Sequence, residues 1–191
     1  MSEKTASAIF HSFTLSFFRS LQYMKNIFLI GMPSSGKSTL GKRIADALHY
    51  RFVDTDKVIV REEGRAIADI FAQSGEAYFR ELEKRVLRTI QPGSSKVVST
   101  GGGMPCFHDN MAYINATGIS IFLDVPVSIL VSRIMAHAQE DRPLNNPSNP
   151  ELPLILEKRY ELRLPVYSQA TITITGETTV EEVLQRLGEW L

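Results

Sequence analysis

Nine residues constrain this chain more than any others: Gly31-Met32-Pro33-Ser34-Ser35-Gly36-Lys37-Ser38-Thr39. A short, mostly apolar run at 26–30 precedes them, and Leu40, Ile44, Ala47 and Leu48 follow at helical spacing. A strand, a glycine-bounded loop and a helix in that order make an anion site. The loop turns backbone N–H groups inward, and the helix start adds unpaired N–H groups and the positive end of its dipole. Lys37 supplies a mobile positive charge for β- and γ-phosphates. The Ser38 hydroxyl suits Mg²⁺, a hard cation that prefers oxygen. The pattern G-x-x-x-x-G-K-[ST] is complete and sits in the context it requires. Gly31, Ser34, Ser35, Gly36, Lys37, Ser38 and Thr39 are therefore the expected nucleotide-binding set, with ATP and Mg²⁺ as cofactors.

The rest of the sequence fits a fold around that loop. Strand-like runs at 26–30, 51–53, 97–98, 118–123 and 171–175 alternate with helical patterns. The helices are expected at 37–48, 66–71, 76–90, around 111–115, after Pro126, at 154–162 and at 179–191. Such alternation implies an α/β fold with helices on both faces of a five-stranded parallel sheet, the three-layer P-loop NTPase arrangement. Right-handed crossovers then bring the strand ends, and any site, to one edge. Residues 137–150 are polar and hold Pro143, Pro147 and Pro150, so this stretch reads as a lid or a disordered segment. Residues 25–191 read as one domain. Residues 1–24 are aromatic-rich, with Phe10, Phe13, Phe17, Leu21 and Met24 at helical spacing. They read as an extension upstream of a functional start at Met24, or as a targeting or docking helix.

Lys plus Arg and Asp plus Glu each number 21, so the formal net charge is zero. That lacks the basic excess with which nucleic-acid binders neutralise phosphates, and no nucleic-acid partner is expected. No apolar run approaches the ~20 residues that span a bilayer, so no membrane partner is expected. Cys106 is the one cysteine, which excludes an intramolecular disulfide and fits a reducing, cytoplasmic setting. A monomer is expected.

Several residues beyond the loop carry chemistry. Asp54-Thr55-Asp56 ends the second strand run, where two carboxylates at i and i+2 can face one cleft. One can serve Mg²⁺ through water and the other can take a proton from an attacking hydroxyl. Taken alone, the pair reads equally well as a turn or a helix N-cap. Arg80 and Glu83, three apart, share a helical face; composition alone favours a surface pair. Gly101-Gly102-Gly103 follows a strand directly, and three glycines in a row are costly unless the chain must approach something closely. Arg142 sits in the expected lid. Arg163 ends a helix, where an arginine also favours the dipole.

As an ordered set these motifs resemble the shikimate kinase family: G-x-x-x-x-G-K-S-T, D-T-D, F-R-x-x-E, G-G-G, R-P-L and R-x-P-x-Y, from about Lys25 to the C-terminus. The resemblance implies transfer of the ATP γ-phosphoryl group to the 3-hydroxyl of shikimate. It implies Lys37 on the phosphates, Ser38 on Mg²⁺ with Asp54 nearby through water, and Asp56 on the ring hydroxyls and the departing proton. Arg80 and Arg163 resemble the pair that grips the substrate carboxylate, with Glu83 orienting Arg80. Gly101, Gly102 and Gly103 resemble a substrate-contacting loop, Arg142 a lid arginine and Arg133 the one that packs on adenine. Ser34 departs from the family, which often has glycine there, and residues 176–179 match weakly. Two other functions compete. A gluconate-type kinase shares the loop but needs neither the two arginines nor D-T-D and G-G-G. A non-catalytic binding domain is expected to have lost the lysine, the D-T-D or an arginine, and this chain keeps all of them.

Overall fold

The computed structural model describes residues 25–136 and 149–190. The N-terminal extension lies outside the described residues, as do all but the last two positions of the expected lid, Arg142 included.

The element order is β1 (Asn26–Ile30), α1 (Lys37–Leu48), β2 (Arg51–Asp54), α2 (Thr55–Glu63), α3 (Ile67–Arg88), β3 (Lys96–Ser99), a 3₁₀ turn (Met104–Cys106), α4 (Asn110–Thr117), β4 (Gly118–Asp124), α5 (Val127–Ala136), α6 (Leu152–Tyr167), β5 (Ile172–Thr175) and α7 (Val180–Leu187). The strands form one parallel sheet in the order β2-β3-β1-β4-β5. β1 is central, and its register pairs Ile27 with Val97 on one side and Ile119 on the other. The strand order therefore reverses at β1, and the loop that follows β1 opens at the switch point where such sheets bind ligands.

Side-chain alternation along β1 explains the three layers. Phe28 and Ile30 enter one core with Phe122, Leu130, Leu156 and Tyr167. Ile27 and Leu29 enter the opposite core with Leu40, Ile44, Val183 and Leu187 from α1 and α7. A third cluster, Ile59, Ile70, Phe79, Leu82 and Val86, joins α2 to α3 beyond the sheet edge. At the end of β1 remote from the loop, buried Asn26 donates its amide to the carbonyls of Gln91 and Thr117 at 2.8 and 3.2 Å. Its side-chain oxygen accepts from Ser94 and from the Lys96 N–H. A fully bonded buried amide fixes the starts of β3 and β4 against β1.

Two expectations about the helices need correction, and one helix was not expected at all. The segment 55–63 is a full helix, α2, which its Val58-Ile59-Val60 run disguises as strand-like. Asp54 caps it by accepting from the Lys57 N–H at 3.3 Å, and Gly64 at φ 65° ends it. The helices expected at 66–71 and 76–90 form one element, α3, interrupted at Gly75 (φ 79°, ψ 171°). Finally, α4 spans eight residues rather than the tail of a helix.

Candidate active site

The phosphate loop has the backbone its sequence demands. Gly31 (φ 137°), Ser34 (φ 62°) and Gly36 (φ 95°) all take positive φ, which alternates the peptide directions and forms a concave nest. Ser34 is an ordinary L-residue in the left-handed region, which costs about 1 kcal/mol and accounts for the glycine often found in its place. Gly31 has a second constraint, because a Cβ there would lie 2.8 Å from the Leu123 carbonyl. Lys37 is buried at the start of α1. Its ammonium donates to the carbonyls of Gly31 and Met32 at 3.1 and 2.7 Å and to Ser35 Oγ at 3.3 Å.

Ser38, Asp54 and Ser99 meet beside that ammonium. The Ser38 hydroxyl donates to Asp54 Oδ2 at 2.7 Å and lies 3.0 Å from Ser99 Oγ. Asp54 thus caps α2 with one oxygen and accepts from the phosphate-loop helix with the other. Three oxygens, two from the ends of β2 and β3 and one from the first turn of α1, suit Mg²⁺, which keeps most of its shell as water and phosphate oxygens. Among the described residues there is no cluster of His, Cys, Asp or Glu able to hold a metal ion by itself. The set therefore fits an ion brought in with a nucleotide.

Asp56 lies in the first turn of α2, nearly buried, and lines the same cleft as Lys37 and Ser38. The cleft measures about 820 Å³. The glycine triplet packs against Asp56 and its neighbours. A Cβ on Gly101 would fall 2.6 Å from Asp56 Oδ1 and 2.8 Å from Glu83 Oε1. A Cβ on Gly102 would fall 2.9 Å from the Pro33 ring of the phosphate loop, and one on Gly103 would fall 2.6 Å from Arg80 Nη1. None of the three has positive φ. Their smallness, not their flexibility, is what the site requires: side chains and loop pack directly onto bare backbone.

Arg80 is not the surface pair that composition favours. Its residue is 5 % exposed and Glu83 is 1 % exposed. Arg80 donates from Nη1 to Glu83 Oε2 at 2.6 Å, and from Nη2 and Nε to Glu76 Oε1 at 2.6 and 3.1 Å. A guanidinium has five N–H groups, so these three bonds leave two. Burial works to lower the Arg80 pKa, but Glu83 and Glu76 outweigh it and raise the value. Burial pushes the Glu83 carboxyl up to about 7 against the pull of Arg80, with Asp56 adding to the rise and Arg163 opposing it.

That displacement makes a prediction. Between an ordinary value of 4.5 and about 7, the folded chain holds a proton on Glu83 that the unfolded chain has released. Stability therefore falls as pH rises across that window. Glu83→Gln cannot ionise, so its stability is expected to change with pH by roughly 1–3 kcal/mol less than the parent's between pH 4.5 and 7.5. Urea unfolding at several pH values measures the slope, and equal slopes in the two proteins would assign the pH dependence to other groups.

Arg163, on α6, faces the same cluster, with its charge acting on Glu83, Cys106 and the Tyr167 hydroxyl. Two tyrosines fix the helix that carries it. Tyr160 donates to Asp124 at the end of β4 at 2.8 Å, and Tyr167 donates to the Gly102 carbonyl while its ring packs 5.0 Å from that of Phe122. Arg133, from α5, lies across the opposite wall of the cleft. It donates to the Ser34 carbonyl at 3.3 Å and to Glu177 at 3.0 Å. Gly176, Glu177 and Thr178 line the cleft there, so the weakly matching segment is part of the site wall.

Three neighbours of the site escaped the motif reading. Ser99 had a usable signal, because it ends a strand next to G-G-G on the functional edge of the sheet. Glu76 also had one, lying four residues before Arg80 on the same helical face. Phe107, whose ring lies under Arg80, had none.

Comparison with known proteins identifies the family. The family profile described as shikimate kinase matches residues 33–191. A shikimate kinase of Clostridium botulinum strain 657 is 41% identical over 163 residues, which cover 84% of this chain and 92% of the relative. One from Persephonella marina is 40% identical over 169 residues, covering 86% and 99%. Among solved structures, the shikimate kinase from Acinetobacter baumannii in complex with shikimate superposes with a TM-score of 0.81 at 28% identity, covering 90% of this chain and 97% of that one. That of Bacteroides thetaiotaomicron gives 0.77 at 37% identity, covering 87% and 97%. Sequence profile, relatives and fold all agree over most of the chain, and it belongs to the shikimate kinase family.

Proposed function

We propose that the chain transfers the γ-phosphoryl group of ATP to the 3-hydroxyl of shikimate, giving ADP and shikimate 3-phosphate, with the residues described above in the following roles. The observation that carries the assignment of roles is the packing of Asp56 and Glu83 against one glycine, Gly101, with Arg80 against the next but one. Asp56, which lines the phosphate-loop cleft, thereby lies next to the cluster that holds Arg80.

Arg80 and Arg163 hold the substrate carboxylate, for which planar forks are better suited than ammonium groups. Gly101, Gly102 and Gly103 let the ring approach the backbone. Asp56 accepts the proton of the attacking hydroxyl as its oxygen bonds to phosphorus and the bond to ADP breaks. Lys37 exchanges two carbonyl dipoles for phosphate charge, and Ser34, Ser35, Gly36 and Thr39 complete the nest with Gly31. Arg133 and the wall at 176–178 receive the base, and Arg142 is the family's lid arginine. Ser38 and, through water, Asp54 would hold Mg²⁺, which would neutralise phosphate charge. The described residues of the cleft all come from one chain, which supports a monomer as the working unit, and a need for ATP supports the cytoplasm.

The direct test is ADP release from Mg-ATP with shikimate, quinate and gluconate compared. Turnover with shikimate and none with gluconate is expected. Turnover with gluconate alone would replace the substrate assignment.

A further inference from the structure

Arg80 is held in its plane by Glu76 and Glu83, but in-plane bonds leave a guanidinium free to tilt out of that plane. What opposes tilt is an aromatic face. Phe107 places its ring centroid 4.3 Å from Arg80 Cζ, well within cation–π range. Phe79 lies further off, at 5.4 Å, and belongs to the cluster between α2 and α3.

The chain sets Phe107 there at the expense of its backbone. His108 and Asp109, which follow it, are both non-glycine residues with positive φ, 51° and 53°. Consecutive left-handed residues persist only where the surroundings impose them. Here the imposition comes from α3, the helix that carries Arg80. Arg88 donates to the His108 carbonyl at 3.3 Å and to Asn110 Oδ1 at 3.2 Å, and His108 Nε2 lies 3.3 Å from Glu81. From the other side, Asn110 donates to the Met104 carbonyl at 2.9 Å. The ring is 37% exposed, so core burial does not account for its placement. One helix thus supplies the arginine and also clamps the strained turn that brings the ring beneath it.

We propose that Phe107 is a positioning residue for substrate recognition: it fixes the tilt of the Arg80 guanidinium so that the two remaining N–H groups meet the substrate's carboxylate. The inference rests on the reading of Arg80 as a carboxylate fork. Leucine fills comparable space without a π-face, whereas tyrosine keeps one. Phe107→Leu is expected to weaken shikimate binding by about tenfold, with kcat, the KM for ATP and the thermal midpoint little changed. Phe107→Tyr is expected to stay within about twofold of the parent. In an Arg80→Ala background, Phe107→Leu is expected to add no further loss.

Calorimetric shikimate affinity and steady-state kinetics on the four proteins and the parent provide the readout. Parent-like affinity in Phe107→Leu overturns the proposal. So does a full additional loss in the Arg80→Ala background, which would show that the ring acts independently of the arginine. A parent that turns over no shikimate removes the underlying reading instead. Turnover by the parent together with an indifferent Phe107→Leu removes only the role of the ring.

Discussion

Asp56→Asn is expected to lower kcat by about 10²–10⁴-fold while leaving ADP and ATP binding within a few-fold of the parent. Asparagine has nearly the same shape, so the nucleotide half of the cleft, the Lys37 contacts and the Ser38–Asp54 pair stay in place. What is lost is a charged acceptor for the hydroxyl proton. The substitution also removes a negative charge that faces Glu83 and contributes to its raised pKa. The fall in stability should therefore start at the same pH as in the parent but end at a lower one and be smaller in total, because Glu83 ionises earlier in the folded chain while its unfolded value is unchanged. Two measurements separate the effects: single-turnover rates for the proton acceptor, and pH-dependent unfolding for the carboxylate pair. Near-normal turnover would remove Asp56 from the chemistry. Lost turnover together with lost ATP binding would show that the residue builds the cleft rather than working in it.

The legible part of the molecule was the part written in short-range pattern. The phosphate loop, five strands and most helices follow from apolar spacing and from glycine and proline placement. β-branched residues at 58–60 hid α2, whose start depends on an Asp54 cap that the sequence showed without saying which of two uses it had. One oxygen makes the cap, and the second is left to accept from Ser38 beside the phosphate loop. The misread environment of Arg80 has a different cause. An i,i+3 pair looks the same on a surface helix and on a buried one; burial was decided by Phe107 and by backbone at Gly103, some two dozen residues further along the chain. Composition also gave no reason for three glycines beyond close approach. Only the fold shows that each faces a different group: a carboxylate pair, a proline ring and a guanidinium.

Gly101→Ala tests that convergence with a single methyl group. A Cβ at this position would sit 2.6 Å from Asp56 Oδ1 and 2.8 Å from Glu83 Oε1, closer than a carbon and an oxygen approach without bonding. At least one carboxylate has to move. Glu83 is tied to Arg80, so its displacement also moves the carboxylate fork; displacement of Asp56 moves the proton acceptor. A misplacement near 1 Å in a catalytic group lowers rate by about 10²-fold, so kcat/KM for shikimate is expected to fall by about 10²–10³-fold when both groups respond. The nucleotide site does not touch Gly101 by this route, and ADP affinity is expected to remain within a few-fold of the parent. Gly103→Ala provides the contrast, because the three atoms nearest its Cβ would all belong to the Arg80 guanidinium. It should raise the KM for shikimate with a smaller effect on kcat. If Gly101→Ala changes neither parameter, Asp56 and Glu83 do not pack on that glycine in the working enzyme. A KM effect alone at both positions would place the carboxylates in binding and leave the proton acceptor to be sought elsewhere.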